Sequence, residues 1–210
     1  MVRIFFCDTE KNGHFLTEAI NFLTKERREK SEKIIDEDKK LLSVAAGFML
    51  KYIVGAGNDK KIIYNEHGKP YLEHGPFFNI SHSGKIVVLA VSKNEIGIDT
   101  EIRDEVNDRI IRRCFTDDEA EFSALSTENY LKVWTAKEAV LKLLGTGFSY
   151  SPKNFSVLPL DGEHVICNKK IKFYNTKICN QQVTAAYHGE EEFEIKEVFI
   201  NEILGTEAKI

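Results

Sequence analysis

The chain has 210 residues, a net charge of −4 and the apolar and charged content of an ordinary globular protein, so it holds one large domain or two small ones. The slightly negative balance excludes the global basic field of a nucleic-acid binder, and no apolar run reaches the roughly 18 residues of a membrane span. Four widely spaced cysteines, Cys7, Cys114, Cys167 and Cys179, form no CxxC pair; with no signal-peptide pattern at the start, they read as reduced thiols of a cytoplasmic protein.

"VRIFFCDT" (2–9) opens as a strand. Residues 15–35 carry apolar side chains at helical spacing and then the basic run "KERREKSEK" (25–33), which by itself is the solvated face of a helix. A second helix is predicted over 36–55, and "NEHGKPYL" is a turn with Gly68 and Pro70. "KIVVLAVS" is a strand that leads through Lys93 and Asn94 into "EIGIDTE", which reads as a hairpin. Thr116 and Glu119 fit a capping box. The next helix is predicted from about Glu128 to Leu144, stopped by Gly145. The segments "FSVLPL", "HVICN", "KIKFYN", "QQVTAAYH" and "FEIKEVFI" then read as antiparallel strands. Each half holds strands and helices, so the expected fold is α+β, two similar halves, each an antiparallel sheet with packed helices. The predicted division is 1–102 and 103–210.

Three groups of residues could carry chemistry. On a strand, Gly97, Asp99 and Glu101 share one face, the carboxylates roughly 6–7 Å apart at the backbone, while Ile96, Ile98 and Thr100 face the other way. Two hard oxygen donors at that spacing suit Mg²⁺, and Gly97 beside them reads as room for a ligand. On the helix, Trp134, Glu138 and Lys142 lie four apart along one stripe. A surface Glu–Lys pair is the commonest meaning of such spacing. The single Trp of the chain argues instead for a partly dry cleft, where Glu138 could take a proton or a metal and Lys142 could neutralise a phosphate. The third group is "NISHSG" (79–84). Ser81 and His82 are adjacent and, on a strand, point to opposite faces, and no G-x-S-x-G elbow exists, so the residues suit a hydrolase triad poorly and hydrogen-bond donation to an anion better.

In order, "GKP", "FNISHSG", "GIDTE" and "WTAKEAVLKLLGTGF" resemble the 4′-phosphopantetheinyl transferases, of the larger surfactin-synthetase-activating type, over roughly Lys25 to Phe155. The resemblance implies two halves related by a pseudo-twofold axis, with coenzyme A (CoA) between them. It implies Mg²⁺-dependent transfer of phosphopantetheine from CoA to a serine of an apo acyl or peptidyl carrier protein, releasing 3′,5′-ADP. By position, Asp99, Glu101 and Glu138 would hold the metal, Lys142 would approach the diphosphate, and Glu138 could deprotonate the serine. Arg27, Lys30 and Ser43 would meet CoA phosphate, Ser81 and His82 phosphate and nucleotide groups, and Lys69 the adenine end. Ser43 stands where the family usually has Thr, and Leu42 where it has a basic residue; Thr100 replaces a common aliphatic residue. Carrier docking is expected after Gly145, one chain suffices for one site, and neither nucleic acid nor membrane is an expected partner. A non-catalytic CoA- or carrier-binding protein and a Mg²⁺-dependent nucleotide pyrophosphatase are the alternative readings.

Overall fold

The computed structural model describes residues 1–57 and 60–207. Strand β1 (Val2–Asp8) shows how the sequence builds the layers. Its alternate residues point to opposite faces. Val2 and Ile4 enter one apolar cluster, and Cys7 with Phe5 enters another. β5 (Ile86–Ser92) is buried along its whole length and divides in the same way, Val87, Leu89 and Val91 to one side and Ile86, Val88 and Ala90 to the other. A strand with both faces buried needs a layer on each side.

One layer consists of α1 (Thr9–Ala19), α3 (Glu37–Tyr52) and, from the end of the chain, α7 (Ile200–Glu207). The other is a second sheet. The first sheet has the order β10-β1-β5-β4, with β4 at Phe77–Ser83 and β10 at Phe193–Glu197. The second has the order β6-β9-β8-β7, formed by β6 (Gly97–Glu101), β7 (His164–Ile166), β8 (Lys169–Ile178) and β9 (Gln181–Tyr187). Its far face is covered by α4 (Asp108–Cys114), α5 (Asp117–Ala124) and α6 (Thr127–Leu144). The fold is α+β. Among the described residues no helix is long and apolar enough to cross a membrane.

Four sequence expectations change. The helix expected over 15–35 is two, because Thr24 begins a new one: its side chain accepts from the Arg27 N–H and caps α2 (Lys25–Glu32). β5 and β6 are not a hairpin. β5 pairs with β1 and β4, while β6 pairs with β9 in the other sheet, so residues 93–96 cross between layers. "FSVLPL" forms no strand. Finally, β10 runs parallel to β1, and α7 packs with α1 and α3. The first sheet is therefore not purely antiparallel, and 193–207, placed by sequence in the second half, complete the first. Residues 208–210 of that predicted half lie outside the described residues.

The edge strands β4 and β6 face each other where the two sheets meet, joined by side chains. Asn79 Oδ1 accepts from the Ile98 N–H (2.8 Å), Ser81 Oγ donates to Asp99 (2.8 Å) and Ser83 Oγ to Glu101 (3.0 Å). Every second residue of "NISHS" therefore ties the first sheet to the second.

Candidate active site

Helix α6 starts where Ser126 accepts from the Asn129 N–H and ends at Gly145, whose φ of 69° is the left-handed conformation that glycine adopts without strain. It lies against β6 so closely that a Cβ on Gly97 would sit 2.0 Å from the Ala139 carbonyl oxygen and 2.5 Å from the Leu143 nitrogen. The space read from sequence as room for a ligand is thus filled by the helix backbone. Trp134 is buried against Phe115 in the second half's core, and the same stripe carries Glu138 and Lys142 toward the seam.

There Lys142 Nζ donates to Asp99 Oδ1 (2.6 Å) and Ser81 Oγ (2.8 Å). Asp99 is buried, and its other oxygen, Oδ2, has no hydrogen-bond partner among the described residues. Burial pushes the Asp99 carboxyl above its ordinary range, and the Lys142 ammonium and Ser81 hydroxyl pull it back. Glu138 is pushed up to about 7, first by burial and then by the Asp99 charge. A carboxyl titrating near neutrality can exchange protons at working pH.

Around this triad lies a cavity of about 550 Å³. Arg27, Lys30 and Ser43 line it from the first half's helices, Ser81 and His82 from β4, Asp99 from β6 and Lys142 from α6. Arg27 donates to the Ser43 carbonyl (3.3 Å), and its buried Nε has no partner among the described residues. Burial lowers this guanidinium from its ordinary value, and it faces the cavity half-buried, with no carboxylate bonded to it among the described residues. His82 keeps an exposed face, yet the surrounding protein and then the Lys142 ammonium hold its pKa below the ordinary value. A second cavity of about 210 Å³ adjoins through Lys142, Gly68, Pro70 and Ile80, and holds Glu138, Lys69 and Phe148.

Seven of the ten residues singled out from sequence thus share one cavity, and Glu138 and Lys69 line its neighbour. Glu101 lines neither. Its carboxylate accepts from Ser83 and faces Arg103 at 3.5 Å. Among the described residues no three His, Cys, Asp or Glu side chains form a ready metal cluster. The cation bonded to Asp99 is Lys142, and the charges of Asp99 and Glu101 both act on the Glu138 carboxyl. The Lys69 Nζ donates to the Leu143 carbonyl at 2.9 Å.

Sequence reasoning passed over Ser83, Tyr64 and Lys137. The alternation Ser81-x-Ser83 on a strand could have revealed the first; nothing local marks Tyr64, which lines the large cavity from a separate hairpin. Lys137 precedes Glu138 but points the other way, fully buried. It pairs with Glu119 (2.6 Å) and donates to the carbonyls of Pro152 (2.7 Å) and Phe155 (2.6 Å).

A family model described as the 4′-phosphopantetheinyl transferase superfamily matches residues 95–195. The chain is similar to 4′-phosphopantetheinyl transferase gsp of Aneurinibacillus migulanus, 34% identical over 113 residues, 50% of this chain and 47% of that protein. It is also similar to 4′-phosphopantetheinyl transferase Sfp of Bacillus subtilis (strain 168), 28% identical over 169 residues, covering 73% of each. With 4′-phosphopantetheinyl transferase psf-1 of Bacillus pumilus it is 30% identical over 168 residues, 73% of this chain and 72% of that protein. The chain thus spans about half the length of the first relative and nearly three quarters of the other two. Together with the matching family model, the psf-1 similarity shows that the chain belongs to the 4′-phosphopantetheinyl transferase superfamily.

Proposed function

We propose that the cleft binds CoA and that the protein transfers its phosphopantetheine to a serine of an apo carrier protein, releasing 3′,5′-ADP. The observation that carries this reading is the cation-lined cavity between the halves, which ends at Lys142, Asp99 and Glu138. Arg27, Lys30 and Ser43 take CoA phosphate, and His82 and Ser81 hold phosphate and nucleotide groups at the cavity wall. Lys142 exchanges part of its bond to Asp99 for the diphosphate. The serine hydroxyl attacks the phosphorus that carries pantetheine, a new P–O bond forms, and the bond to the ADP oxygen breaks. Glu138, with its pKa near neutrality, takes the serine proton. The work is positioning and charge neutralisation.

Mg²⁺ fits the donor set, because Asp99 keeps one buried, unpartnered oxygen and the charges of Asp99 and Glu101 both disfavour ionised Glu138. Asp99, Glu101 and Glu138 would hold it, and its charge would offset that of the diphosphate. One chain supplies both walls, so a monomer suffices. Phe148, 61% exposed at the mouth of the smaller cavity, supports carrier docking after Gly145.

The test is intact-mass analysis of apo carrier proteins from fatty-acid, polyketide and peptide assembly, incubated with the protein, CoA and Mg²⁺. A gain of one phosphopantetheine, lost with Glu138→Gln and with chelator, is expected. CoA binding with no gain on any carrier would refute transfer and leave a binding protein; release of free phosphopantetheine would indicate a pyrophosphatase.

A further inference from the structure

The hairpin of β2 (Ile62–Tyr64) and β3 (Pro70–Leu72) touches the cleft on one side and the end of α6 on the other. Tyr64, Gly68 and Pro70 line the large cavity. Within the turn, Asn65 uses both ends of its amide. Oδ1 accepts from the backbone N–H groups of His67 (3.0 Å) and Lys69 (2.8 Å), closing the turn on itself. Nδ2 donates 2.7 Å to the carbonyl of Gly145, which caps the helix carrying Glu138 and Lys142. The orientation of the amide is fixed by these partners. Reversed, it would set NH₂ against two N–H donors and oxygen against a carbonyl.

The last carbonyls of a helix have no partner within it and form its negative end. Here two of these end carbonyls are met from the other half of the molecule, Gly145 by Asn65 and Leu143 by the Lys69 ammonium. The fit is close: a Cβ on Gly145 would lie 2.9 Å from Asn65 Nδ2 and 3.0 Å from Lys69 Cδ. Lys142 is the residue before Leu143, so the placement of its side chain depends on where this last turn is held.

We propose that Asn65 is a positioning residue, holding the last turn of α6 to the cavity wall so that Lys142 meets the CoA diphosphate. The inference rests on the proposed reading of the cleft. It separates from plain hairpin stabilisation, because Asn65→Asp keeps the oxygen that accepts both turn N–H groups and replaces the donor to Gly145 with an anionic oxygen that repels that carbonyl.

The experiment compares the full-length wild type with Asn65→Asp and Asn65→Ala. It reads kcat, KM for CoA, urea stability, and deuterium exchange at residues 143–149 and 65–69. Both variants should lose about tenfold in kcat, with KM for CoA within about twofold of wild type, since Arg27, Lys30 and Ser43 are untouched. Exchange at 143–149 should accelerate in both, while 65–69 stays protected in Asn65→Asp alone. Wild-type kcat and wild-type exchange at 143–149 in Asn65→Asp would overturn the proposal; so would exchange accelerated evenly over the whole chain. If the wild type itself transfers nothing, the reading of the cleft fails, and the exchange pattern still decides whether Asn65 holds the helix end.

Discussion

Replacing Glu138 with Gln should stabilise the metal-free protein, by an amount that depends on pH. In the folded chain burial and the Asp99 charge raise this carboxyl from 4.5 to about 7. Below pH 4.5 the group is protonated in both folded and unfolded chains, and the substitution changes little. Between 4.5 and 7 the unfolded chain releases the proton while the folded one retains it, so wild-type stability falls as pH rises. Above 7 the folded state carries a buried charge, and the loss is complete. At about 1.4 kcal/mol per pH unit, the rise comes to about 3 kcal/mol. Gln has the same shape and no charge, so it escapes this loss. Urea unfolding in chelator at pH 5, 6, 7 and 8 should show the variant's advantage growing from about 0.8 to about 3 kcal/mol. Added Mg²⁺ should shrink the difference by favouring the ionised wild type. A difference that stays flat across this range would refute the reasoning, since it would mean that Glu138 is already solvated or paired.

Gly97→Ala places a methyl group against the backbone of α6 rather than a movable side chain; it should cost at least about 3 kcal/mol and most of the activity, read by urea unfolding and carrier modification. Lys137→Met should cost about 3–5 kcal/mol because it strands fully buried Glu119, and adding Glu119→Gln should recover part of that loss in the same unfolding assay. Arg27→Ala should weaken CoA binding about tenfold or more by calorimetry and leave kcat at saturating CoA nearly unchanged.

What the sequence made legible was local. Helical spacing put Glu138 and Lys142 on one stripe, Gly145 marked the end of α6, and strand alternation sent Ile96 and Ile98 one way and Asp99 the other. All three depend on backbone geometry within a few residues. Longer-range features were not legible. Residues 93–96 look like a hairpin loop because a short polar break between apolar strands reads the same whether the chain turns back or crosses to another sheet. Gly97 looks like open space, since a missing side chain does not reveal what fills its place. Lys137 drew no reading from sequence, because its partners, Glu119 and the loop at 152–157, are distant in the chain. The resemblance put Lys69 near CoA; its bond to the end of α6 depends on a contact across the seam that no local pattern encodes.

The central claim is that the seam between the halves places CoA against Lys142 and the carboxylates, and a crystal structure with CoA and Mg²⁺ tests it most directly. The account predicts CoA phosphate at Arg27 and Lys30, the diphosphate within hydrogen-bonding distance of Lys142 Nζ, and the cation between Asp99 and Glu138. CoA bound outside the seam, with Lys142 still held only by Asp99 and Ser81, would contradict it.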